Sequence, residues 1–339
     1  MRERLRLDHP IVQAPMAGGG STPALAAAVA EAGGLGFLAA GYKPAAAVRE
    51  EIAATRALTA RSFGVNLFMP SADAVDDAAV AAYRERLAPE AARLGAEPGA
   101  VPPGGRTDSW DDKIADLLGD PPAVVSFTFG CPDAETVKAF QDRGAYAIVT
   151  VTTPREAVTA ASAGADALCV QGAEAGGHQG AFTNAFDDPI PLRTLLAAVR
   201  SVTTLPLIAA GGLGSAGHIA EVLGLGAAAA QLGTVFLRSP ESGASAVHKA
   251  ALADPGFTRT ALTRAFSGRP ARGLVNRFMT EYGEHAPAAY PDVHYLTAPL
   301  RKAAAARGDA EAVNLWAGTS FKEAAVAPAR DIVAALTAG

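Results

Sequence analysis

The stretch LPLIAAGGLGSAG, Leu205 to Gly217, can be read in two ways, and the choice settles the fold. Its last six residues, GLGSAG, match G-x-G-x-x-G between a strand and a helix, the fingerprint of a dinucleotide-binding Rossmann unit. That fingerprint belongs to the first βα turn and needs an acidic residue for the ribose. Here six strand-like runs precede it, and the next apolar run, AAAAQLGTVFL from Ala227, contains no acid. In a chain with 35 glycines the match is weak. A TIM (β/α)8 barrel accounts for it better. In such barrels the loops after the seventh and eighth strands hold a phosphate on backbone N–H groups. AAGGLGS and QLGT stand at those two places, so Gly211, Gly212, Gly214, Gly233 and Thr234 are candidate phosphate ligands.

On either side of this stretch, short apolar runs alternate with Ala-rich amphipathic segments, the pattern of repeated βα units. Strands are predicted at PIVQA (from Pro10), LGFLA (Leu35), FGVNLF (Phe63), AVVSFTF (Ala123), AYAIVTV (Ala145), ADALCVQ (Ala165), LPLIAAGG (Leu205) and AAAAQLGT (Ala227). A helix is expected in TPALAAAVAEAGG, capped by Thr22, started by Pro23 and stopped by Gly33 and Gly34. Residues 71–122 and everything after Pro240 break this rhythm. The first is too long for an ordinary connection and is expected to lie over the strand ends, where lids form. The resulting division is a barrel of residues 1–70 and 121–240, with helix 324–339 packing on it. A helical substrate or lid region comprises 71–120 and 241–323.

Composition narrows the function. With 339 residues, 50% hydrophobic and 19% charged, the chain can bury a large core. A net charge of −5 and the absence of dense Lys/Arg blocks exclude a nucleic-acid or anionic-membrane footprint, which leaves a small-molecule ligand. The only cysteines, Cys131 and Cys169, make neither a disulfide framework nor a zinc site, and no metal site is expected. MRERLRLDHP lacks the apolar core of a signal peptide, and the weakly charged stretch 206–237 is broken by Glu221, His218 and glycines, so a cytoplasmic protein is expected. A homo-oligomer is compatible with the sequence, which does not fix the oligomeric state.

Polar residues at strand ends locate the chemistry. Asn66 in GVNLF and Gln171 in CVQG interrupt apolar runs where barrel side chains meet a ligand; satisfying neighbouring backbone is the alternative for each. His178 lies in VQGAEAGGHQGAF, Val170 to Phe182, whose glycines permit positive φ and close backbone approach at a conformational cost. Of the six histidines it alone sits in a glycine-rich loop after a predicted strand, which makes it the candidate for proton transfer or substrate binding. His9, His218, His248, His285 and His294 read as surface or capping residues. Cys131, with no basic neighbour, reads as a bystander and Cys169 as core. Arg264, Arg269, Arg272 and Arg277 read as a solvated or salt-bridged face, from which one member could reach an anionic substrate.

Taken in order, QAPMAGG, GVNLF, VVSFTFGCP, VQGAEAGGHQG, PLIAAGGLGS, QLGTVFL and FSGRPARGLVNRF resemble the nitronate monooxygenases, formerly 2-nitropropane dioxygenases, over nearly the whole chain. The resemblance implies an FMN-dependent, nitronate-detoxifying oxidoreductase. Its substrates would be a small anionic alkyl nitronate, such as propionate 3-nitronate, and O2, giving a carbonyl compound and nitrite. It also implies that Ala14, Pro15 and Met16 lie along the flavin ring and that Asn66 and Gln171 contact ring or ribityl groups. Gly176 and Gly177 would let the loop pass close to the cofactor, and Gly211, Gly212, Gly214, Gln231, Gly233 and Thr234 would hold the phosphate end. His178 matches the family's active-site histidine. HYLTAPLRKAAA and NLWAGTSF bring Tyr295 and Lys302 to the pocket by the same likeness. Thr128 stands where some relatives carry a second histidine, which leaves substrate range open. The alternatives are an NAD(P)H-dependent quinone or enoyl-thioester reductase on the same fold, and a flavin-binding protein without turnover.

Overall fold

A computed structural model describes residues 1–71, 73–186 and 188–338. All eight expected strands form: β1 (Ile11–Gln13), β2 (Gly36–Ala39), β3 (Phe63–Phe68), β4 (Val124–Thr128), β5 (Tyr146–Val151), β6 (Ala167–Gln171), then β8 (Leu207–Ala210) and β9 (Ala229–Leu232). The short β7 (Gly177–His178) lies between them in sequence and belongs elsewhere. The eight make one parallel sheet in the order β1-β9-β8-β6-β5-β4-β3-β2. A parallel bridge between Val12 and Leu35 closes it, so the fold is a TIM barrel. Gln13 reinforces the closing seam, its Oε1 accepting from Phe37 N at 2.9 Å.

Period-two alternation explains where polar residues go. Val124, Ile148, Cys169, Ile208 and Ala229 fill the inside of the barrel with Phe37, and Leu5 and Leu7 pack beneath them. One or two pleats toward the C-terminal ends, the inward face turns polar with Asn66, Ser126, Thr128, Thr150, Gln171 and Gln231. The opposite face of the same strands, including Val65, Leu67, Val149, Leu168 and Val170, packs on the surrounding helices. Deleting one such buried Leu to Ala would cost about 2–5 kcal/mol.

The helix signals in the sequence hold. The helix Pro23–Glu31 begins with Thr22 Oγ1 accepting from Leu25 N, and Gly33 turns the chain away at φ +83°. Helices Asp77–Arg86 and Ala88–Leu94 from the long insertion share a second core with the helices Arg277–Tyr282 and Asp292–Ala306, built from Tyr83, Leu87, Leu94, Phe278, Leu296 and Leu300. Helix Trp110–Gly119 instead puts Leu117 into the barrel core, as does the terminal helix Ala329–Thr337 with Ile332 and Val333. The region after Pro240 is not purely helical. Strands β10 (Thr260–Thr263) and β11 (Ala271–Leu274) form an antiparallel hairpin, and β7 pairs with β11 to complete a three-stranded sheet. Sequence alternation missed β7 because two residues carry no period.

Candidate active site

A cavity of about 300 Å³ opens at the C-terminal mouth of the barrel, within the range of small-molecule sites. It brings together residues far apart in the chain. Ala14, Pro15 and Met16 come from the end of β1, Asn66 and Thr128 from β3 and β4, and Gln171 from β6. Gly176, Gly177 and His178 come from the glycine-rich loop, Gly211 and Gly212 from the end of β8, and Gln231, Gly233 and Thr234 from that of β9. No Asp, Glu, Lys or Arg lines it among the described residues.

At one end, backbone donors collect. The amides of Gly211, Gly212, Gly233 and Thr234 have no acceptor among the described residues. Thr234 Oγ1 accepts from Gly318 N at 3.0 Å, which leaves its own hydroxyl hydrogen to donate. Such a concentration of free amides fits an anionic group and would be costly to bury otherwise. Gly212 sits at φ +65°, and a Cβ there would lie 2.8 Å from the Glu174 side chain. Gly214 departs from its expected place. It does not line the cavity, and its amide donates to His218 Nδ1 at 3.2 Å. A helix N-terminus beginning at Ala216, with Ser215 as cap, turns that amide back into the protein.

The polar strand ends are partly committed. Asn66, only 2% exposed, donates from Nδ2 to Ser126 Oγ at 2.9 Å and Thr128 Oγ1 at 3.0 Å, which leaves Oδ1 as an acceptor. Gln231 spends Nε2 on Cys169 Sγ at 3.2 Å. Both hydrogen-bonding ends of Gln171 are spent on the loop carrying His178: Nε2 donates to His178 O at 3.1 Å and Oε1 accepts from Gly180 N at 2.6 Å. Gly176 makes room for the chain itself, since a Cβ there would lie 2.4 Å from Gly318 N. Gly177 is needed for its conformation, at φ +76° with open space around it.

His178 stands in an aromatic enclosure. Phe129 and Tyr290 each lie 5.7 Å from its ring centre and Trp316 lies 5.6 Å away. Its Nε2 is 2.9 Å from Ser267 Oγ, and Ser267 Oγ donates its single hydrogen to Arg269 O at 3.2 Å. The imidazole is therefore assigned as the Nε2–H tautomer with Nδ1 unprotonated. Burial, with the charges of Arg269 and Arg301 nearby, pushes its pKa down to about 3. It is neutral at ordinary pH.

The arginine series is not a surface face. Arg269 is 1% exposed, lies 4.0 Å over the Phe129 ring, and donates to the carbonyls of Ala181 and Thr183. Arg264 donates to Asn184 O at 2.6 Å and Arg272 to Ala173 O at 2.8 Å. These three clamp the backbone on both sides of His178, using the guanidinium fork on carbonyls where the described residues offer no carboxylate. Among the described residues, Arg277 alone of the four follows the salt-bridge expectation, pairing with Glu90 at 2.8 Å and with Glu281 at 2.5 Å.

Other expectations are corrected by helical geometry. Tyr295 and Lys302 do not line the cavity: Tyr295 OH reaches Gly105 O at 3.5 Å, and Lys302 is exposed. On helix Asp292–Ala306 the residues coupled electrostatically to His178 are His294 and Arg301; with Thr297, which accepts from Arg301 Nε, they are spaced i, i+3 and i+7 on one side of the helix. Tyr295 and Lys302 are each one position, about 100°, past it. His294, expected at the surface, stacks on Tyr42 at 3.7 Å and is held neutral by burial. His248, also expected at the surface, lines the cavity and makes a 3.0 Å hydrogen bond from Nε2 to Trp316 O; burial lowers its pKa to about 4. His248 therefore places a second imidazole in the lining, on a different segment from Thr128. Cys131 lies off the cavity, with burial and Asp133 raising its pKa to about 11, which keeps it an unreactive thiol.

The family profile described as "Nitronate monooxygenase" matches residues 3–339. A nitronate monooxygenase of Pseudomonas aeruginosa is 41% identical over 98% of this chain and 96% of its own length, and one from Paraburkholderia phytofirmans is 39% identical over 98% and 92%. Among solved structures, a nitroalkane oxidase from Streptomyces ansochromogenes superposes with a TM-score of 0.95 at 55% identity, over 98% of this chain and 95% of that one. FabK from Thermotoga maritima follows at a TM-score of 0.76 and 27% identity, covering 99% and 93%. With its profile matched almost end to end and its relatives aligned over nearly their full lengths, the chain belongs to the nitronate monooxygenase family of oxidoreductases.

Proposed function

We propose that the cavity binds FMN and that the protein oxidises small alkyl nitronates, propionate 3-nitronate among them, with O2 to a carbonyl compound and nitrite. The observation that carries this reading is the pairing of two features across one cavity: four unpartnered amides with the Thr234 hydroxyl at one end, and a neutral, oriented histidine at the other. Bound FMN would supply the electron-accepting and oxygen-reducing chemistry that no side chain here possesses.

The residues present fit that group. Gly211, Gly212, Gly233 and Thr234 would hold its phosphate on N–H and O–H donors, without a cation. Asn66 Oδ1 and Gln231 Oε1 offer acceptors for ring or ribityl donors, and Ala14, Pro15 and Met16 give a flat apolar edge. Gln171 acts at one remove by fixing the His178 loop.

His178 orients the substrate and, when a nitroalkane enters in neutral form, takes its α-proton at Nδ1. Ser267 keeps that nitrogen free by holding the hydrogen on Nε2. Phe129, Tyr290 and Trp316 restrict water around the ring. Thr128 borders the same space and tunes which alkyl groups fit. A detoxifying role in the cytoplasm accords with this chemistry and with two free cysteines. No helix among the described residues is long and apolar enough to cross a membrane.

Reconstitution with FMN and with riboflavin tests the cofactor assignment, with FMN expected to bind at least tenfold tighter through its phosphate. His178→Asn tests the other end: flavin retained and nitronate oxidation lost supports the reading, while full turnover in that variant would contradict it.

A further inference from the structure

A neutral His178 and a lining without charged side chains among the described residues leave the attraction for an anionic substrate unexplained. Two guanidiniums act electrostatically on His178, those of Arg269 and Arg301, and Arg301 is the unused one. It is half-buried on the helix side that carries His294 and Thr297, and all its partners are neutral. Nε donates to Thr297 Oγ1 at 3.1 Å, Nη2 to His294 O at 2.9 Å with His294 Nδ1 at 3.3 Å, and Nη1 to Asn314 Oδ1 at 3.1 Å. No salt bridge reaches it among the described residues, although a guanidinium enclosed in protein is ordinarily paired. Burial lowers its pKa only to about 10, so it remains charged. Arg269 differs. Asp73 and Glu156 take the amides of Asn184 and Phe182, in the loop whose carbonyls Arg269 holds, and their charges offset part of its own.

Asn314 connects Arg301 to the cavity, which it lines. A guanidinium can only donate, so the amide oxygen of Asn314 must face Arg301, and its amino group is turned the other way. That amino group has no acceptor among the described residues. A positive charge on the oxygen side polarises the amide and strengthens the donors on the nitrogen side.

We propose that Arg301 and Asn314 form the element that makes the pocket prefer anionic substrates, with Asn314 Nδ2 contacting an anionic oxygen and Arg301 acting as the positioning residue behind it. The proposal rests on the nitronate-oxidising reading of the same site and names the specificity device within it. It recognises a small carboxylate as well as a nitronate, since both present planar, charge-sharing oxygens.

Calorimetric titration of the FMN-loaded protein with propionate and with its neutral isostere propionamide reads the preference without turnover. Propionate is expected to bind at least tenfold tighter. In Arg301→Met and in Asn314→Ala the propionate affinity should fall about tenfold while propionamide changes less than twofold, and Arg301→Lys should recover most of the loss. Equal binding of the two ligands to the unaltered protein would overturn the proposal even if Arg301→Met fails to fold, and so would an undiminished propionate affinity in a folded variant. Nitronate-driven oxygen uptake is measured separately, so a protein that prefers propionate but shows no uptake would refute the oxidising reading while leaving the anion preference standing.

Discussion

Acidification should expose the cost of keeping His178 neutral. In the unfolded chain its imidazole titrates near the ordinary 6.5, while in the folded protein burial and two nearby guanidiniums hold it at about 3. Between those values the unfolded state binds a proton that the folded state does not, so stability falls as pH drops from 6.5 toward 3 and is unaffected by this group above about 7.5. From pH 7 to pH 5 an unfolded pKa of 6.5 with a folded value near 3 gives about 2 kcal/mol. The ring has an open side toward the cavity, and screening there reduces the expected effect to about 1–2 kcal/mol. Urea unfolding of the flavin-free protein at the two pH values, compared between the unaltered chain and His178→Gln, isolates this contribution from the carboxylates. The variant should lose about 1–2 kcal/mol less on acidification. An identical loss in both would refute a buried, neutral His178.

Further outcomes follow from individual contacts. Ser267→Ala leaves the Nε2–H of His178 without its partner and should lower kcat about tenfold or more with bound flavin unchanged, measured by oxygen uptake against flavin absorbance. Gly176→Ala drives a methyl against the backbone at Gly318 and should destabilise the fold by more than about 2 kcal/mol, visible as a lowered thermal midpoint. Thr234→Val removes one hydroxyl donor and should weaken FMN binding about fivefold to tenfold, read by flavin fluorescence. Lys302→Ala alters an exposed side chain away from the cavity and should change KM for a nitronate less than twofold.

How much of this was legible in the chain depends on whether a residue's position follows from local period. The eight strands were, because parallel barrel strands are short apolar runs and their inward face changes from Val, Ile and Cys to Asn, Thr and Gln at one end. The glycine loops after β8 and β9 were legible for the same reason. Their place in the barrel was fixed by strand count, and only Gly214 fell away, turned inward by the helix that starts beside it.

The opposite wall of the cavity was not legible. It comes from the segment after Pro240, where packing on the barrel mouth, and no repeat, decides which residue faces in. A one-residue error on a helix moves a side chain by about 100°, enough to exchange Tyr295 and Lys302 for His294 and Arg301. Arg269 and Arg272 read as part of a solvated or salt-bridged face because burial of an arginine on backbone carbonyls leaves no signal in the sequence to announce it. The i, i+3, i+7 spacing of His294, Thr297 and Arg301 was the one available signal for the layer behind that wall. His248 offered none, since its role rests on Trp316 O, far along the chain.

Oxygen consumption by the FMN-loaded protein given propionate 3-nitronate without any nicotinamide, with nitrite assayed in the same sample, decides whether the cavity oxidises nitronates. Rapid uptake matched by nitrite is the predicted result. No uptake from fully flavin-loaded protein, together with anaerobic bleaching of the flavin by NADH or NADPH, would contradict nitronate oxidation and place the activity among the nicotinamide-dependent reductases.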